Sequence, residues 1–281
     1  MKYTIRGGET EITGVGDFDL VKIFECGQCF RWESDINGVY TGVAMGRAAR
    51  LRREGGSVYL SCGIGDFETV WYNYFDLSRD YTEIRRLLST DDYMQKATKF
   101  GTGIRILRQD KWEALCSFII SQCNNIPRIK KIITALCREF GDRFMFDGNE
   151  FYSFPTAERL AELTAEDLAP IRCGYRAAYI AEAAKSVSSG DIDLDALSKK
   201  SPEDARKTLK MLHGVGDKVA DCVMLFGLNK LDAFPRDVWI NRAIKTQYGP
   251  KFDPAIFSPY AGIAQQYMFY YTRSNFILGK L

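Results

Sequence analysis

The sequence contains a single histidine, His213, among its 281 residues. This scarcity excludes histidine-rich metal centres and makes a serine–histidine triad improbable as the basis of catalysis. Long hydrophobic runs are also lacking, because no stretch reaches the roughly 18 apolar residues of a membrane span. The polar start MKYTIRGGET has no apolar run of a secretory signal. We therefore expect a cytoplasmic protein with no membrane partner.

Neither sign of charge is in clear excess, because the chain has 38 basic and 36 acidic residues and a formal net charge of +2. A nucleic-acid partner would have to be met by a local basic patch. The eight cysteines are scattered along the chain, which favours free thiols over disulfides. Cys26 and Cys29 have the spacing of a zinc half-site, but no second such pair follows, so no structural zinc is expected. The candidate catalytic groups are therefore carboxylates, amines or thiols.

The pattern of apolar residues predicts an α+β fold. Over residues 1–95, the hairpin signals Asn37-Gly38 and Glu54-Gly55-Gly56 precede strand-like segments at 39–43 and 58–60, which predicts an antiparallel sheet domain. From residue 96 to 281 the period becomes helical, with two helices joined at Asn124-Asn125 and others at 157–163, 176–188 and 202–212. Ser201 and Asp204 resemble a capping box. The second domain is predicted to be all-helical, with the sheet domain packed on it.

The stretch LHGVGDKVADC, residues 212–222, carries the strongest local signal. A helix is predicted to end at His213 and another to begin near Asp217, with Gly214, Val215 and Gly216 as a tight connection. Two glycines let backbone N–H groups converge beside the positive end of the second helix, a geometry suited to a phosphate. A plain turn between packed helices also accounts for the two glycines.

Lys218 falls in the first turn of that second helix. The helix dipole and the apolar neighbours Val215 and Val219 disfavour an ammonium there, so this lysine can act as a neutral nucleophile. A solvated surface charge is the alternative. A carboxylate partner is available in FPRDVWINR, where Asp237 precedes an apolar-periodic segment over 238–248 and occupies the position of a helix N-cap. Capping alone also explains Asp237, although a cap holds a carboxylate in the fixed direction that catalysis needs.

These motifs together resemble the helix-hairpin-helix DNA glycosylases, and GVGDKVADC is most similar to the 8-oxoguanine DNA glycosylases among them. Four further segments fit the same family, and the similarity spans nearly the whole chain: GQCFRW from Gly27, SFIISQCNNIPRI from Ser117, GYRAAYIAEAA from Gly174 and PYAGIAQQYMF from Pro259. The resemblance implies base flipping, because the sugar carbon is unreachable inside a stacked duplex.

The resemblance also implies catalytic roles for two residues. Lys218 would attack the anomeric carbon, expel the base and leave a Schiff base that can eliminate the 3′ phosphate, so that the enzyme is both glycosylase and lyase. Asp237 would stabilise the oxocarbenium-like sugar and assist proton transfers. The hairpin residues His213 to Gly216 would contact DNA phosphate.

By the same resemblance, four residues bind the flipped base. The carbonyl of Gly27 would accept a hydrogen bond from the N7–H that 8-oxoguanine has and guanine lacks, a contact worth about 1 to 3 kcal/mol. Phe269 and Cys222 would sandwich the base, and Gln265 would read its Watson–Crick edge. A strand-end glycine and plain core packing are the structural alternatives, the latter being an adequate account of Cys222.

Five residues are implied at the orphaned base, which would be cytosine. Arg128, Tyr175 and Arg176 match residues that fill the gap and address that base, and Asn124 and Asn125 follow Cys123, which stands where other members carry a contacting asparagine. The arginines could instead be solvated helix faces. Trp239 replaces a phosphate-binding histidine, and residues 270–272 lack a further aspartate, so the resemblance does not establish how strictly the opposite base is read.

Three rival functions remain to be weighed. An iron–sulfur glycosylase needs four closely spaced cysteines after Asp237, and no cysteine follows Cys222, so no cofactor is expected. An alkylated-base glycosylase normally lacks the lysine. A non-enzymatic DNA-binding protein would use the hairpin for phosphate contact alone. The favoured interpretation is a monomer acting on double-stranded DNA that contains 8-oxoguanine, nucleoid-associated in a bacterium or nuclear in a eukaryote.

Overall fold

The computed structural model describes residues 1–278, and over this range the predicted α+β class is confirmed. A six-stranded sheet has the order β1-β2-β6-β5-β4-β3. Antiparallel pairing joins β1 to β2, β2 to β6, β5 to β6 and β3 to β4. The strands of this sheet are β1 (Lys2–Arg6), β2 (Glu9–Thr13), β3 (Trp32–Ser34), β4 (Tyr40–Ala44), β5 (Arg47–Glu54) and β6 (Ser57–Leu60).

The two hairpins predicted from turn residues are confirmed. Gly38 has a φ of +76° and lies between β3 and β4, where the Asp35 carboxylate accepts from the backbone N–H of Asn37 and Val39. Gly55 and Gly56, with φ of +55° and +85°, connect β5 to β6. Glycine adopts these positive φ values without steric cost, which is why the turns fall there.

Helices dominate the rest of the described chain. They are α1 (Leu20–Glu25), α2 (Ile64–Asp66), α3 (Tyr72–Tyr74), α4 (Tyr81–Leu88), α5 (Asp92–Phe100), α6 (Lys111–Ile120), α7 (Ile126–Phe140), α8 (Ala157–Ala161), α9 (Arg176–Ser188), α10 (Leu194–Lys199), α11 (Pro202–Leu209), α12 (Asp217–Cys222), α13 (Val238–Ala243) and α14 (Ala261–Ile277). Turns of π-helix follow α2, α12 and α13 at Phe67–Trp71, Val223–Gly227 and Ile244–Tyr248. Turns of 3₁₀-helix lie at Ala169–Ile171 and Pro254–Phe257. Among residues 1–278, no helix combines the length and apolar character needed to cross a membrane.

The chain forms two compact units that are each built from separate segments. The first unit comprises Met1–Cys29, Leu51–Arg108 and the chain from Lys230 onward, and the second comprises Phe30–Arg50 and Gln109–Asn229. Because each unit combines separate segments of the chain, these units do not test the predicted domain boundary at residue 95, which stays a prediction.

The first unit contains an aromatic core and a buried ion cluster. Phe75 lies 5.4 Å from Phe18 and 6.0 Å from Trp71, measured between ring centroids. Asp76 is 1% exposed and accepts hydrogen bonds from Arg79 at 2.6 Å and from the Tyr81 hydroxyl at 2.9 Å. A buried carboxylate is tolerated because its lone pairs are satisfied in this way.

The second unit is arranged around α6, whose residues 114–120 are all buried. Asp110 caps this helix by accepting from the backbone N–H of Glu113, and Asn125 caps α7 in the same way for Arg128. The connection at residues 121–125 therefore lies where the sequence predicts it.

Three features of the second unit differ from the sequence predictions. An antiparallel hairpin, β7 (Arg143–Phe146) with β8 (Asn149–Tyr152), interrupts the region predicted to be all-helical. Its turn places Asp147 and Gly148 at φ of +50° and +73°. Each strand has only four residues, which is too few for the alternation of apolar and polar residues to be recognised in the sequence. Helix α11 ends at Leu209 rather than near 213, and α8 ends at Ala161 rather than 163.

Candidate active site

The connection between α11 and α12 is a tight turn at Gly214 to Gly216. Gly214 has a φ of +80°, and a Cβ there would lie 2.3 Å from the ring of Tyr179, so this position requires glycine. Gly216 is the N-cap of α12 at a φ of −90°, and a Cβ there would meet no described atom within 4 Å. The backbone at the start of α12 is therefore approachable, as a phosphate-binding hairpin requires.

Aromatic rings connect this hairpin to Tyr175 within the second unit. The Tyr179 ring lies 4.7 Å from His213 and 5.6 Å from Tyr175, between centroids. His213 Nδ1 is 3.0 Å from a carboxylate oxygen of Glu182, which orients the imidazole. Tyr175 is 53% exposed, so its ring remains available for stacking at the end of this row.

Lys218 is half-buried and held by two contacts. Its Nζ donates to Ser121 Oγ at 3.1 Å and lies 5.2 Å from the centroid of the Phe118 ring. Phe118 is stacked on Phe226 at 5.3 Å, which fixes the ring under the amine. Cys222 follows one turn later on the same helix face and is 3% exposed. Lys218 is therefore positioned by the fold and is not a freely solvated surface charge.

The loop before α7 is fixed by a buried guanidinium. Arg176 is 3% exposed, and its Nε donates to the carbonyl of Gln122 at 3.0 Å while Nη1 donates to that of Cys173 at 3.2 Å. Asn124 donates from Nδ2 to the carbonyl of Ile120 at 3.1 Å. Because Arg176 is buried, the interpretation as a solvated helix face does not hold for it.

Two predicted residues of the same region remain at the surface. Arg128 and Asn125 are exposed at the start of α7, where Asn125 forms the N-cap. Cys123, which precedes Asn124 in this loop, is exposed with a φ of +46°. This φ is unusual for a residue other than glycine, asparagine or aspartate.

Asp237 is the N-cap of α13 in the first unit, as predicted. One carboxylate oxygen accepts from the backbone N–H of Trp239 at 3.0 Å and of Ile240 at 2.8 Å. The side chain is half-buried. Its direction is consequently set by the helix terminus, and its charge is favoured by the helix dipole.

An aromatic and cationic cluster lies directly after Asp237. The Arg242 guanidinium is 5.3 Å from the Trp239 ring and 4.1 Å from the Phe276 ring, and the two rings are 5.1 Å apart. Arg242 therefore supplies a positive charge beside the Trp239 ring.

The predicted base-reading residues of the first unit lie on a loop and on α14. Gly27 follows α1 with a φ of +80°, and Gln265 and Phe269 are one turn apart on α14. Gln265 is 4% exposed, and its Oε1 has no hydrogen-bond partner among residues 1–278. A buried amide oxygen without a partner is costly, so Gln265 Oε1 is open to a hydrogen bond from a donor.

Comparisons with known proteins assign the chain to a family. Residues 12–115 match the 8-oxoguanine DNA glycosylase N-terminal domain, and residues 116–255 match the HhH-GPD superfamily of base excision DNA repair proteins. An N-glycosylase/DNA lyase of Saccharomyces cerevisiae is 34% identical over 82% of this chain and 68% of its own length. The chain belongs to the 8-oxoguanine DNA glycosylase family.

Solved structures of similar proteins agree with this membership. MBOgg1, solved in complex with a low-affinity DNA ligand, is 44% identical with a TM-score of 0.93, over 98% of this chain and 99% of that one. The 8-oxoguanine glycosylase/lyase of Clostridium acetobutylicum, solved with double-stranded DNA containing cytosine opposite 8-oxoguanine, is 37% identical with a TM-score of 0.93, over 98% of each chain.

Several contacts of the glycosylase were not predicted from its sequence. Ser121 holds the amine of Lys218 although 97 positions separate the two residues. Gln28 and Gln266 are both buried: Gln266 donates to the carbonyl of Cys26, directly before Gly27, and Gln28, directly after Gly27, donates to the carbonyl of Arg105. Gln28 lies within the family segment GQCFRW and Gln266 within PYAGIAQQYMF, so their positions in these motifs were the available signal.

Proposed function

We propose that Lys218 is the nucleophile of this glycosylase and that Asp237 is its carboxylate. As a member of its family, the protein is a bifunctional DNA repair enzyme that excises 8-oxoguanine and cleaves the resulting abasic site. The observation that carries the assignment is the Lys218 amine, half-buried and held by Ser121 at 3.1 Å in the helix that follows the glycine hairpin. A nucleophile must be held in one direction to gain from proximity.

The reaction forms and breaks bonds at the sugar of the flipped nucleotide. The lone pair of Lys218 Nζ forms a bond to the anomeric carbon, the glycosidic bond breaks, and its electrons leave with the base, which takes up a proton. The sugar-bound nitrogen loses a proton, and its lone pair then expels the ring oxygen, which takes up a proton, so that the opened sugar is a protonated Schiff base. Loss of a proton from the adjacent sugar carbon then expels the 3′ phosphate.

Asp237 supports the step in which the sugar becomes positive. Its carboxylate is oriented by the backbone N–H groups of Trp239 and Ile240, so it needs no reorganisation when charge develops. A fixed anion stabilises an oxocarbenium-like sugar in the transition state more than it stabilises the neutral substrate.

We assign lesion recognition to Gly27, Gln265, Phe269 and Cys222. The Gly27 carbonyl accepts from N7–H of 8-oxoguanine, and the free Oε1 of Gln265 accepts from the Watson–Crick edge of the base. Guanine carries a lone pair at N7, so it would leave the Gly27 carbonyl without a donor, a loss of about 1 to 3 kcal/mol. The ring of Phe269 and the thiol of Cys222 provide the two faces of the stack.

Contacts with the remainder of the duplex are assigned to the second unit. The hairpin residues His213 to Gly216 bind backbone phosphate, and Tyr175, Arg176, Arg128, Asn124 and Asn125 address the gap and the orphaned base. We propose that the enzyme acts as a monomer without a cofactor, because an amine and a carboxylate suffice for the steps above. Its location follows that of its substrate, with the nucleoid or the nucleus as the expected compartment.

Borohydride trapping tests the nucleophile. Borohydride reduces a Schiff base to a stable amine, so the wild type is expected to form a covalent adduct with a duplex containing 8-oxoguanine. Lys218→Gln should abolish this adduct while binding to the same duplex persists, since the amide retains most of the side-chain volume. Persistent trapping in the variant would move the nucleophile to another residue. A wild type that binds but never forms an adduct would support the non-enzymatic alternative.

A further inference from the structure

The segment around Gly27 is held by two buried glutamines. Gln266 is 2% exposed, and its Nε2 donates to the carbonyl of Cys26 at 2.7 Å. Gln28 is fully buried, and its Nε2 donates to the carbonyls of Ile23 at 2.9 Å and Arg105 at 2.8 Å. Hydrogen bonds between buried amides and carbonyls are costly to break, because neither partner can turn to water.

Gly27 lies between two anchored residues, Cys26 and Gln28, and its own backbone does not restrict the direction of its carbonyl. Gly27 has a φ of +80°, and glycine populates positive and negative φ about equally well. Its carbonyl therefore points in a defined direction only if the neighbouring peptide groups are held. Gln266 holds the peptide group before Gly27, and the side chain of Gln28 anchors the residue after it.

The anchor on the Gln28 side is itself rigid. The Oε1 of Gln28 accepts from the backbone N–H of Leu107 at 2.9 Å, so its amide bonds on both sides to residues 105–107. Arg105 in that stretch is 3% exposed and donates to the carbonyl of Asp76 at 2.9 Å. Hydrogen bonds therefore connect Asp76 to Arg105 and Arg105 to Gln28, the residue that follows Gly27.

The anchor on the other side comes from the helix that reads the base. Gln266 is adjacent to Gln265 on α14, and Arg273 of the same helix lies 3.5 Å from the carbonyl of Glu25. Gln265 presents the unsatisfied Oε1 described above. The hydrogen bond from Gln266 therefore sets the position of the Cys26–Gly27 peptide group relative to the amide of Gln265. In the proposed function, Gly27 contacts N7 of the base and Gln265 contacts its Watson–Crick edge.

We propose that Gln266 is a positioning residue that supports recognition of 8-oxoguanine by fixing the direction of the Gly27 carbonyl relative to the amide of Gln265. The proposal rests on the proposed function of Gly27 and Gln265. A hydrogen bond to N7–H weakens steeply when its acceptor moves or tilts. Release of the Cys26 carbonyl should therefore reduce recognition of the lesion while the chemistry at the sugar is retained.

The variant Gln266→Met tests this, because methionine has a similar length but no donor. Two single-turnover rates are measured on the full-length protein: base release from an 8-oxoguanine:cytosine duplex, and borohydride trapping on a duplex with a preformed abasic site. Base release should fall about tenfold, whereas trapping on the abasic site, which presents no base to read, should stay within twofold of the wild type. Equal losses in both rates, or no loss in base release, would overturn the proposal.

Tyr93→Phe is the matched control. The Tyr93 hydroxyl is 2.7 Å from Thr272 Oγ1 on the same helix, so the variant also removes a buried hydrogen bond of α14 but leaves the bonds to the carbonyls of Glu25 and Cys26 in place. Both rates of this variant should match the wild type. A tenfold loss of base release in Tyr93→Phe would show that any loosening of α14 suffices, against a specific role for Gln266.

Gln266→Glu gives a second readout that does not depend on how well methionine packs. An ionised glutamate cannot donate to the Cys26 carbonyl, whereas a protonated one can. Burial favours the neutral form, so the ratio of variant to wild-type base release should rise as the pH is lowered. A ratio that stays low at every pH, including pH values at which the carboxyl is protonated, would count against the donor role. A wild type without activity on 8-oxoguanine would instead refute the proposed function itself.

Discussion

Replacement of Asp237 separates its role as a helix cap from its role in catalysis. One carboxylate oxygen accepts from the N–H of Trp239 at 3.0 Å and of Ile240 at 2.8 Å. Asparagine caps helices about as well as aspartate, so Asp237→Asn should keep both bonds and lower the free energy of unfolding by no more than about 0.5 kcal/mol. Asp237→Ala loses both bonds, and a loss of about 1 kcal/mol, within a range of about 0.5 to 2, is expected.

Activity should follow a different order from stability. Removal of a preorganised charge from a transition state typically costs about 100- to 1000-fold in rate. Asp237→Asn should therefore lose at least about 100-fold in single-turnover base release despite its near-native stability. Urea denaturation and base release measured on the same preparations give the two quantities side by side.

Asp80 provides the control for this comparison. It is the N-cap of α4 in the same unit and accepts from the N–H of Thr82 at 2.9 Å and Glu83 at 3.1 Å. Asp80→Asn and Asp80→Ala should reproduce the changes in stability without the loss of rate. If Asp237→Asn kept a rate within threefold of the wild type, the carboxylate charge would have no part in the reaction. If it were as unstable as Asp237→Ala, the cap geometry would be misjudged.

Further predictions concern the glycine hairpin and the residue that holds the Lys218 amine. Gly214→Ala should lower the free energy of unfolding by about 1 to 3 kcal/mol in urea, because its Cβ would lie 2.3 Å from the Tyr179 ring at a φ of +80°. Gly216→Ala should leave stability nearly unchanged, since its Cβ meets open space, but should weaken duplex binding in a titration at low salt by obstructing a phosphate; unchanged affinity would exclude that contact. Ser121→Ala removes the acceptor of Lys218 at 3.1 Å and should slow trapping on an abasic duplex by about tenfold without weakening binding, whereas an unchanged trapping rate would show that Phe118 alone positions the amine.

Local signals in the sequence were sufficient for much of the fold. The helix at 176–188 has the bounds expected from its apolar period, and Ser201 caps α11 by accepting from the N–H of Asp204 at 3.1 Å, as its capping-box position indicates. The hairpin at Asn37-Gly38 likewise follows from one dipeptide. Each of these features is decided by contacts within a few residues along the chain.

Features that depend on distant contacts were not predictable in the same way. The hairpin of β7 and β8 has four residues a strand with exposed and half-buried positions, too short for its alternation to stand out beside helices. Helix α14 is buried on most sides in its first two turns, so it lacks the polar face from which a helical period is usually recognised. The capping and hairpin motifs predicted where Asp237 and Lys218 lie, but not that Ser121 holds the amine.

The same distinction applies to lesion recognition, because the group assigned to it is a backbone carbonyl. No substitution can remove the Gly27 carbonyl, and its direction is decided by residues that do not touch the base. Gln266 donates to the carbonyl of Cys26, 240 positions away, and Gln28, which directly follows Gly27, is anchored to the carbonyl of Arg105, 77 positions away. Variation in selectivity among such enzymes should therefore arise at buried amides of this kind as well as at side chains in contact with the base. A glycine whose neighbours were anchored differently would present its carbonyl to the same lesion in another direction, and the paired rates for Gln266→Met measure the resulting loss of lesion recognition.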